Sequence, residues 1–243
     1  KHDLGLLGGF SSQKSTNEYM YGEARGFPND VIQTLNAGTP YQLSGTKSQY
    51  SMISYFARAN YTFDNKYLLT ATIRTDGSSR FGQNKKWGAF PSVSAAWRVS
   101  QVSFMDQFSD VISEFKLRAS YGIAGNNRIG NYSAIGLLGT GFYPTGDVLQ
   151  NTVNPSTIPN NDLGWEKVLQ SNFGFDLALF NNRIRLEGDF YNSKSIDLLL
   201  NVPVPTITGY ANQIQNIGKL QNRGMEFLIS TKNLTGKFSW TSD

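Results

Sequence analysis

Apolar and polar residues alternate with a period of two over most of this chain, and that pattern restricts it to antiparallel strands with one oily face and one wet face. In 54–63, Tyr55, Ala57, Ala59, Tyr61 and Phe63 share a face, while Phe56, Arg58, Asn60 and Thr62 share the other. The same holds for Tyr67, Leu69, Ala71 and Ile73 against Thr70, Thr72, Arg74 and Asp76, and for Val93, Ala95, Trp97 and Val99 against Ser94, Ala96 and Arg98. Phe115, Leu117, Ala119, Tyr121 and Ile123 oppose Lys116, Arg118, Ser120 and Gly122. Phe173, Phe175, Leu177 and Leu179 oppose Asn172, Gly174 and Asp176. Ile184, Leu186, Gly188 and Phe190 oppose Arg185, Glu187 and Asp189, and Met225, Phe227 and Ile229 oppose Glu226 and Ser230. With weaker versions at Leu4, Leu6, Gly8 and Phe10 and at Phe238 and Trp240, the pattern predicts about nine strands.

The connections divide into two kinds. Asp64-Asn65 and Asn181-Asn182 have the residues of two-residue hairpin turns, since Asn and Asp tolerate positive φ, and 233–237 reads as another short turn. Between them lie long polar segments, about 14–49, 77–91, 124–164 and 194–222. Strand parity puts the long segments at one end of the sheet and the short turns at the other. The segment 100–114 falls at the short-turn end, where Phe104, Met105, Phe108, Val111 and Ile112 have the spacing of a helical turn. Loops this long are uncommon in compact domains and usually functional.

Composition narrows the functions. Aromatics make up 13% and charged residues only 16%, against roughly 25% charged in an average soluble domain. With 24 Gly and 22 Asn, the chain is rich in strand and turn formers and too aromatic to be disordered. It has no Cys, which excludes disulfides, thiol catalysis and Cys-based zinc sites, and its one histidine is His2. No cofactor, metal site or enzyme activity is expected. The net charge of +4 is too mild to indicate nucleic acid. No stretch of 18 apolar residues exists, so no transmembrane helix is expected. Residues 1–10 lack the design of a secretory leader, so either a leader was removed or this is a piece of a longer chain.

Alternation fits two solutions of opposite sense. In a soluble sandwich the apolar face turns inward; in an outer-membrane barrel it meets lipid and the polar face lines a lumen. Strands of about ten residues suit a bilayer crossing. Tyr55, Tyr61, Phe63, Tyr67 and Tyr121 sit near strand ends, where an interfacial aromatic girdle would lie. The long-loop and short-turn asymmetry also favours the barrel. A secreted or surface β-sandwich that binds a ligand remains the rival.

The stretch 66–82 (KYLLTATIRTDGSSRFG) followed by 87–98 (WGAFPSVSAAWR) resembles the signature region of the SusC/RagA family of TonB-dependent outer-membrane transporters. Similar to the family, in order, are 117–122 (LRASYG) with Gly125-Asn126, 161–166 (NDLGWE), 179–184 (LFNNRI), 215–218 (QNIG) and 222–227 (NRGMEF). The resemblance covers most of residues 50–243 and is less distinct before that. It implies an all-β, antiparallel transmembrane β-barrel of which this chain supplies about nine of 22 strands, with short periplasmic turns and long extracellular loops. Residues 1–243 would belong to one barrel domain, the N-terminal plug domain being absent from this chain. It also implies uptake of oligosaccharides or peptides, a SusD-like surface lipoprotein at the mouth, and TonB acting through parts outside this chain. Outer-membrane lipid would be the surroundings, in a Gram-negative bacterium. A siderophore-type receptor of the same general barrel is the nearest alternative. An isolated piece with open sheet edges is expected to be unstable or aggregation-prone.

The candidate lumen-facing polar residues are Arg58, Arg74, Arg98, Lys116, Arg118, Asp176, Arg185, Glu187 and Asp189, with Asp76 beside them. As a set these charges need somewhere wet to point, although cross-strand pairing explains any one of them. Among loop aromatics, Tyr143, Trp165 and Tyr210 are candidate ligand or partner contacts, because flat rings stack on sugars at low entropic cost. Gly77, Ser79 and Arg80 fit a turn better than an anion site. Residues 136–141 are glycine-rich but lack the Lys-Ser/Thr of a phosphate loop. Asp106, Asp110 and Glu114 lack a calcium-loop pattern.

Overall fold

A computed structural model describes residues 1–32 and 34–243. Nine strands form one antiparallel sheet: β1 (His2–Arg25), β2 (Thr39–Phe63), β3 (Tyr67–Ser78), β4 (Trp87–Arg98), β5 (Ile112–Asn126), β8 (Glu166–Leu179), β9 (Ile184–Ile196), β12 (Lys219–Thr235) and β13 (Ser239–Ser242), in that order across the sheet. Two small hairpins stand inside long connections: β6 (Leu138–Thr145) with β7 (Val148–Pro155), and β10 (Leu199–Pro203) with β11 (Asn212–Asn216). The main-sheet strands are the nine read from alternation. Among the described residues no second sheet packs on the apolar face, and the polar face meets only the small β10–β11 hairpin, at its long-loop end.

Exposure follows the sequence period with the sense inverted relative to a soluble protein. Along β3, Tyr67, Leu69, Ala71 and Ile73 are exposed while Leu68, Thr70, Thr72 and Arg74 are partly covered and Asp76 is buried. The layered soluble alternative needed Phe173, Phe175, Leu177 and Leu179 in a dry core. Instead Phe173 is 50% exposed and the other three are only partly covered. This oily face is continuous across the register: Phe63 pairs with Tyr67, Tyr67 with Trp97, Trp97 with Leu117, and Leu117 with Phe175. At the short-turn end the rings of Phe63, Tyr67 and Trp97 stack in sequence with centroids 6.2 Å apart. At the long-loop end Phe10, Tyr55 and Trp87 form a second row, at 5.3 and 6.2 Å. Trp87 and Trp97 are separated by about 33 Å of strand, which at a tilt near 40° spans about 25 Å of height, the expected apolar band.

The register also reports the tilt. On β4 the outward apolar run extends from Trp87 to Trp97, whereas on β12 Met225, Phe227 and Ile229 carry it and Arg223 ends it. Arg223 aligns with Val93 through Asn192, Ser171 and Tyr121. Phe227, the middle of the β12 run, aligns with Trp97, so the centre of the band slides about five residues toward the short turns over four strand steps. At about 3.3 Å per residue and 4.8 Å per strand this is a slope of about 40°, within the tilt of a closed transmembrane sheet.

Connections differ from the sequence reading in three places. Much of segment 14–49 is strand and not loop: β1 and β2 continue as a paired ribbon out to Arg25 and Thr39. Alternation fades there because a ribbon standing clear of the membrane has water on both faces and needs no oily one. The hairpins β6–β7 and β10–β11 likewise order parts of 124–164 and 194–222. The short turns are longer than two residues. Asp64 and Asn65 take φ of 50° and 58° within a three-residue turn, and Phe180, Asn181 and Asn182 take 53°, 56° and 62° within a four-residue one. The uncommon Phe180 conformation is held by its N–H donating to the Val111 carbonyl at 2.8 Å. Lys66 hydrogen-bonds Asp64 and holds its carboxyl below the ordinary aspartate value. That contribution is present above the ordinary value and fades as pH falls through the depressed one. The helical expectation in 100–114 is met by short 3-10 turns over Val99–Gln101 and Ser103–Phe108, with Val99 and Met105 buried.

The inverted sense makes a direct test. In the full-length protein, Phe173→Arg on the outward face should destabilise by about 2–4 kcal/mol, whereas Ser120→Arg on the opposite face should cost under about 1 kcal/mol. Denaturant midpoints of the reconstituted barrel, read by its heat-modifiable gel shift, separate the two. The reverse ranking would mean the oily face is the covered one.

Candidate functional site

The polar face carries one connected charge network. Lys116 and Arg118 on β5 face Asp176 on β8, and Asp189 lies one strand further on β9. Lys116 Nζ reaches Asp176 Oδ2 at 3.0 Å, and Arg118 Nη2 reaches Asp176 Oδ1 at 2.8 Å and Asp189 Oδ2 at 3.1 Å. Arg118 has room to bridge both carboxylates because Gly174 stands opposite it and between them. Asn172 Nδ2 donates to Asp189 Oδ1 at 3.3 Å, while its own Oδ1 is buried without a partner. A cleft of about 350 Å³ opens beside the network, bounded by Thr70, Ser94, Ser120, Lys116, Arg118 and Asn172. Small hydroxyl residues give it a smooth floor, and two cations and an amide give it one polar wall. That chemistry suits reversible contact with polar groups. It offers no paired nucleophile and base, and among the described residues no three His, Cys, Asp or Glu gather to hold a metal.

Towards the long-loop end the polar face is roofed. Phe90 and Trp165 stand edge to face at 5.2 Å, and Phe81 lies 4.8 Å from Trp165. With Leu163 and Ala134 they make a buried apolar cluster, against which Met52, Ile123, Ile129, Leu199 and Ile214 pack. Phe90 occupies a polar-face position, and the space it fills exists because Gly125 and Gly88 lack side chains beneath it. The β4–β5 ladder ends at Ser92, so Pro91, which has no N–H to donate, lies just past it where the strands part.

Backbone and side-chain bonds lock this roof. Gly82 N–H donates to the Leu163 carbonyl at 2.8 Å, Asn84 N–H to the Asn161 carbonyl at 3.0 Å, and the Trp165 indole to the Lys86 carbonyl at 3.0 Å. Asn216 is the central clasp: its Oδ1 accepts from Gly164 N–H at 2.7 Å and its Nδ2 donates to the Gly164 carbonyl at 2.9 Å and the Asp197 carbonyl at 3.0 Å. Arg80 donates to Asn131 at 2.8 Å and stacks over Tyr50 at 4.0 Å. It is therefore a structural tie, in line with the turn reading of that segment.

The expected site residues are distributed unevenly. Lys116, Arg118, Asp176 and Asp189 meet, with Glu187 opposite Asp176 across the β8–β9 ladder. Arg74 forms a second group, donating to Asp76 at 2.8 Å and to the buried Ser54 at 2.9 Å. Arg98 and Arg185 lie at the short-turn end, Arg98 near the Asn65 carbonyl and Arg185 4.0 Å from Glu114. Arg58 is exposed on β2, opposite Thr72. Of the loop aromatics, Tyr143 is well exposed on the β6–β7 hairpin and Tyr210 partly so. Trp165 departs from the expectation of an open contact: it is 6% exposed, its ring faces taken by Phe81 and Phe90. The roof itself, with Phe81, Phe90, Leu163 and Asn216, was not read from the sequence. One signal was present: a large ring at position 90, out of phase on a polar strand face.

All 243 residues match the family model described as TonB dependent receptor-like, beta-barrel. TonB-dependent receptor P39 of Formosa agariphila is 43% identical over 249 residues, which cover 100% of this chain and 23% of that protein. TonB-dependent receptor SusC of Bacteroides thetaiotaomicron is 40% identical over 197 residues, covering 78% of this chain and 19% of SusC. A solved structure of the RagAB peptide transporter superposes with a TM-score of 0.87 at 34% identity, over 98% of this chain and 26% of that one. The chain thus spans about a quarter of the length of these proteins or less.

Two substitutions probe the site. In the full-length protein, Trp165→Ala should cost about 3–5 kcal/mol locally and speed amide exchange at 79–86, 156–165 and 197–217 while leaving β3 and β9 protected. Arg118→Met leaves the Asp189 carboxylate with the Asn172 amide alone, and should cost about 1–3 kcal/mol, more than Lys116→Met, which strands none because Arg118 still serves Asp176.

Proposed function

The chain belongs to the TonB-dependent receptor β-barrel family, and from that premise we propose that it forms part of the barrel wall of an outer-membrane importer of oligosaccharides or peptides. The observation that carries this is the inverted sheet: rings facing outward with no cover, and charges paired on the inner face. The similarity to SusC and to the RagAB transporter supports a nutrient importer over a siderophore receptor.

In this reading residues 1–243 are one stretch of a single barrel domain, and a plug domain elsewhere in the full-length protein fills the lumen. The network of Lys116, Arg118, Asp176 and Asp189 lines that lumen and offers polar contacts to the plug or to passing solute. The roof of Phe81, Phe90, Leu163 and Trp165 fixes the extracellular loops as one ledge inside the mouth. Tyr143 and Tyr210 stand beyond it, available to ligand or to a SusD-like lipoprotein seated over the opening. TonB acts through the periplasmic side of the plug. No bond is made or broken, so the work is transport without catalysis, in the outer membrane of a Gram-negative bacterium.

The test is uptake by cells. Deleting the gene of the full-length protein, or tonB, should abolish accumulation of the fluorescently labelled oligosaccharide or peptide on which the strain depends, and the protein should fractionate with outer membranes. A protein in the soluble fraction, or uptake that persists in both deletions, would overturn the proposal. Tyr143→Ala should weaken solute capture several-fold without changing the amount of folded barrel.

A further inference from the structure

On the outward face of β8, β9 and β12, just beyond the last apolar row, the chain changes character. Phe173, Phe190 and Met225 pair across the three strands as the last apolar row. The next row is Ser171, Asn192 and Arg223; the one after is Leu169, Lys194 and Gln221; the third is Lys167, Ile196 and Lys219. Four cations therefore share one face of three adjacent strands within three rows. Cations on neighbouring strands and neighbouring rows stand about 8 Å apart at Cα. Lys194, Lys219 and Arg223 are exposed, and among the described residues no carboxylate lies within ion-pair distance of them. Lys167 has a single loose partner, Asp197, at 3.9 Å. A cleft of about 460 Å³ beside Lys167 adds Lys85 and the edge of Trp87, with Asp162 and Asp197 on its wall.

The height of this patch follows from the slope of the apolar band. Carried across at about 40°, the level of Trp87 on β4 meets β8 near Lys167 and β9 near Lys194, with Lys219 just above it on β12. Arg223 lies one row below, within the reach by which a long basic side chain extends from an apolar surface to the headgroup level. The cations thus stand where acyl chains give way to headgroups, at the extracellular end. The rest of that rim, at Tyr55, Trp87 and Ile123, carries rings and aliphatics on the same face, with Lys14 on β1, two rows past Phe10, as a lone cation away from this cluster. The short-turn end of the same strands, at Leu179, Ile184 and Thr231, carries no charge on this face either.

We propose that Lys167, Lys194, Lys219 and Arg223 form a binding site for the phosphorylated headgroup of a glycolipid in the extracellular leaflet. Cations beside an apolar surface at headgroup depth attract anionic lipid through charge, while Phe173, Phe190 and Met225 below them take the acyl chains. Asn192 and Gln221, joined at 2.7 Å, supply amide groups between the charges. The proposal rests on the outward face meeting lipid.

The test uses the full-length protein, purified in detergent and stripped of lipid, then titrated with nanodiscs containing lipid A, with the same lipid after phosphatase treatment, and with inorganic phosphate as competitor. Native mass spectrometry and fluorescence of labelled lipid A read the binding. Wild type should bind lipid A at least tenfold tighter than the dephosphorylated form, and inorganic phosphate should not displace it. K194Q/K219Q/R223Q should lose that preference, and K194R/K219R/R223K should keep it. Equal binding of the two lipids, an unaltered triple variant, or displacement by inorganic phosphate would overturn the proposal, the last assigning the patch to a soluble anion. Should the glutamine variant fail to give a heat-modifiable band, the comparison of the two lipids on wild type decides alone. A protein that binds neither lipid yet stays in outer membranes sinks this site and leaves the importer standing.

Discussion

Hydrocarbon offers no partner to a backbone N–H or carbonyl, and each unpaired group there costs several kcal/mol. Every other feature of this molecule answers to that requirement. Strands must pair on both sides, so the sheet runs through nine of them in one antiparallel order. Once the backbone is paired, side chains decide which face meets the oil. Period-two alternation lets each strand present rings and aliphatics outward while keeping charges on the other face. The result would be untenable in water, with Phe173 half exposed and Met225 and Phe227 more so. Surrounded by acyl chains it is the stable arrangement.

The inner face solves the complementary problem. Its charges are not scattered but tied together, Arg118 bridging Asp176 and Asp189 across three strands while Arg74 holds Asp76 and Ser54. Such ties keep long side chains against the wall and leave the hydroxyl floor of Thr70, Ser94 and Ser120 open. Higher up, the wall stops being polar and a small conventional core takes over. Phe90 turns inward, two glycines make space for it, and loops from three connections close on Trp165 and Leu163. The segments that resemble the family most are largely the ones that build this ledge: 87–98 supplies Phe90, 161–166 supplies Leu163 and Trp165, and 215–218 supplies Asn216. Their shared residues hold loops in place, which is why Trp165 is a packing residue although its sequence context reads as an open loop.

The sheet was legible because its physics is local. A strand with oil on one side must alternate, and a hairpin that turns within a few residues needs Asn or Asp at positive φ, as at Asp64, Asn65, Asn181 and Asn182. Where both faces of a ribbon meet water the rule is silent, and the long upper halves of β1 and β2 passed for loop. Pairing partners were equally hidden. Nothing in the neighbourhood of Asp176 or Asp189 announces that one guanidinium serves both. Nor does the spacing of 167, 194, 219 and 223 announce a single patch, since only register brings residues from three strands into adjacent rows.

The amino-acid order by itself determined the strand positions, the two faces of each strand and the family likeness, because these depend on residues two or a few positions apart. Tertiary structure alone decided which way the oily face points, which charges meet, and which loops fold inward. Those outcomes rest on contacts between residues 30 to 80 positions apart, made only when strand register and glycine-sized gaps bring them together.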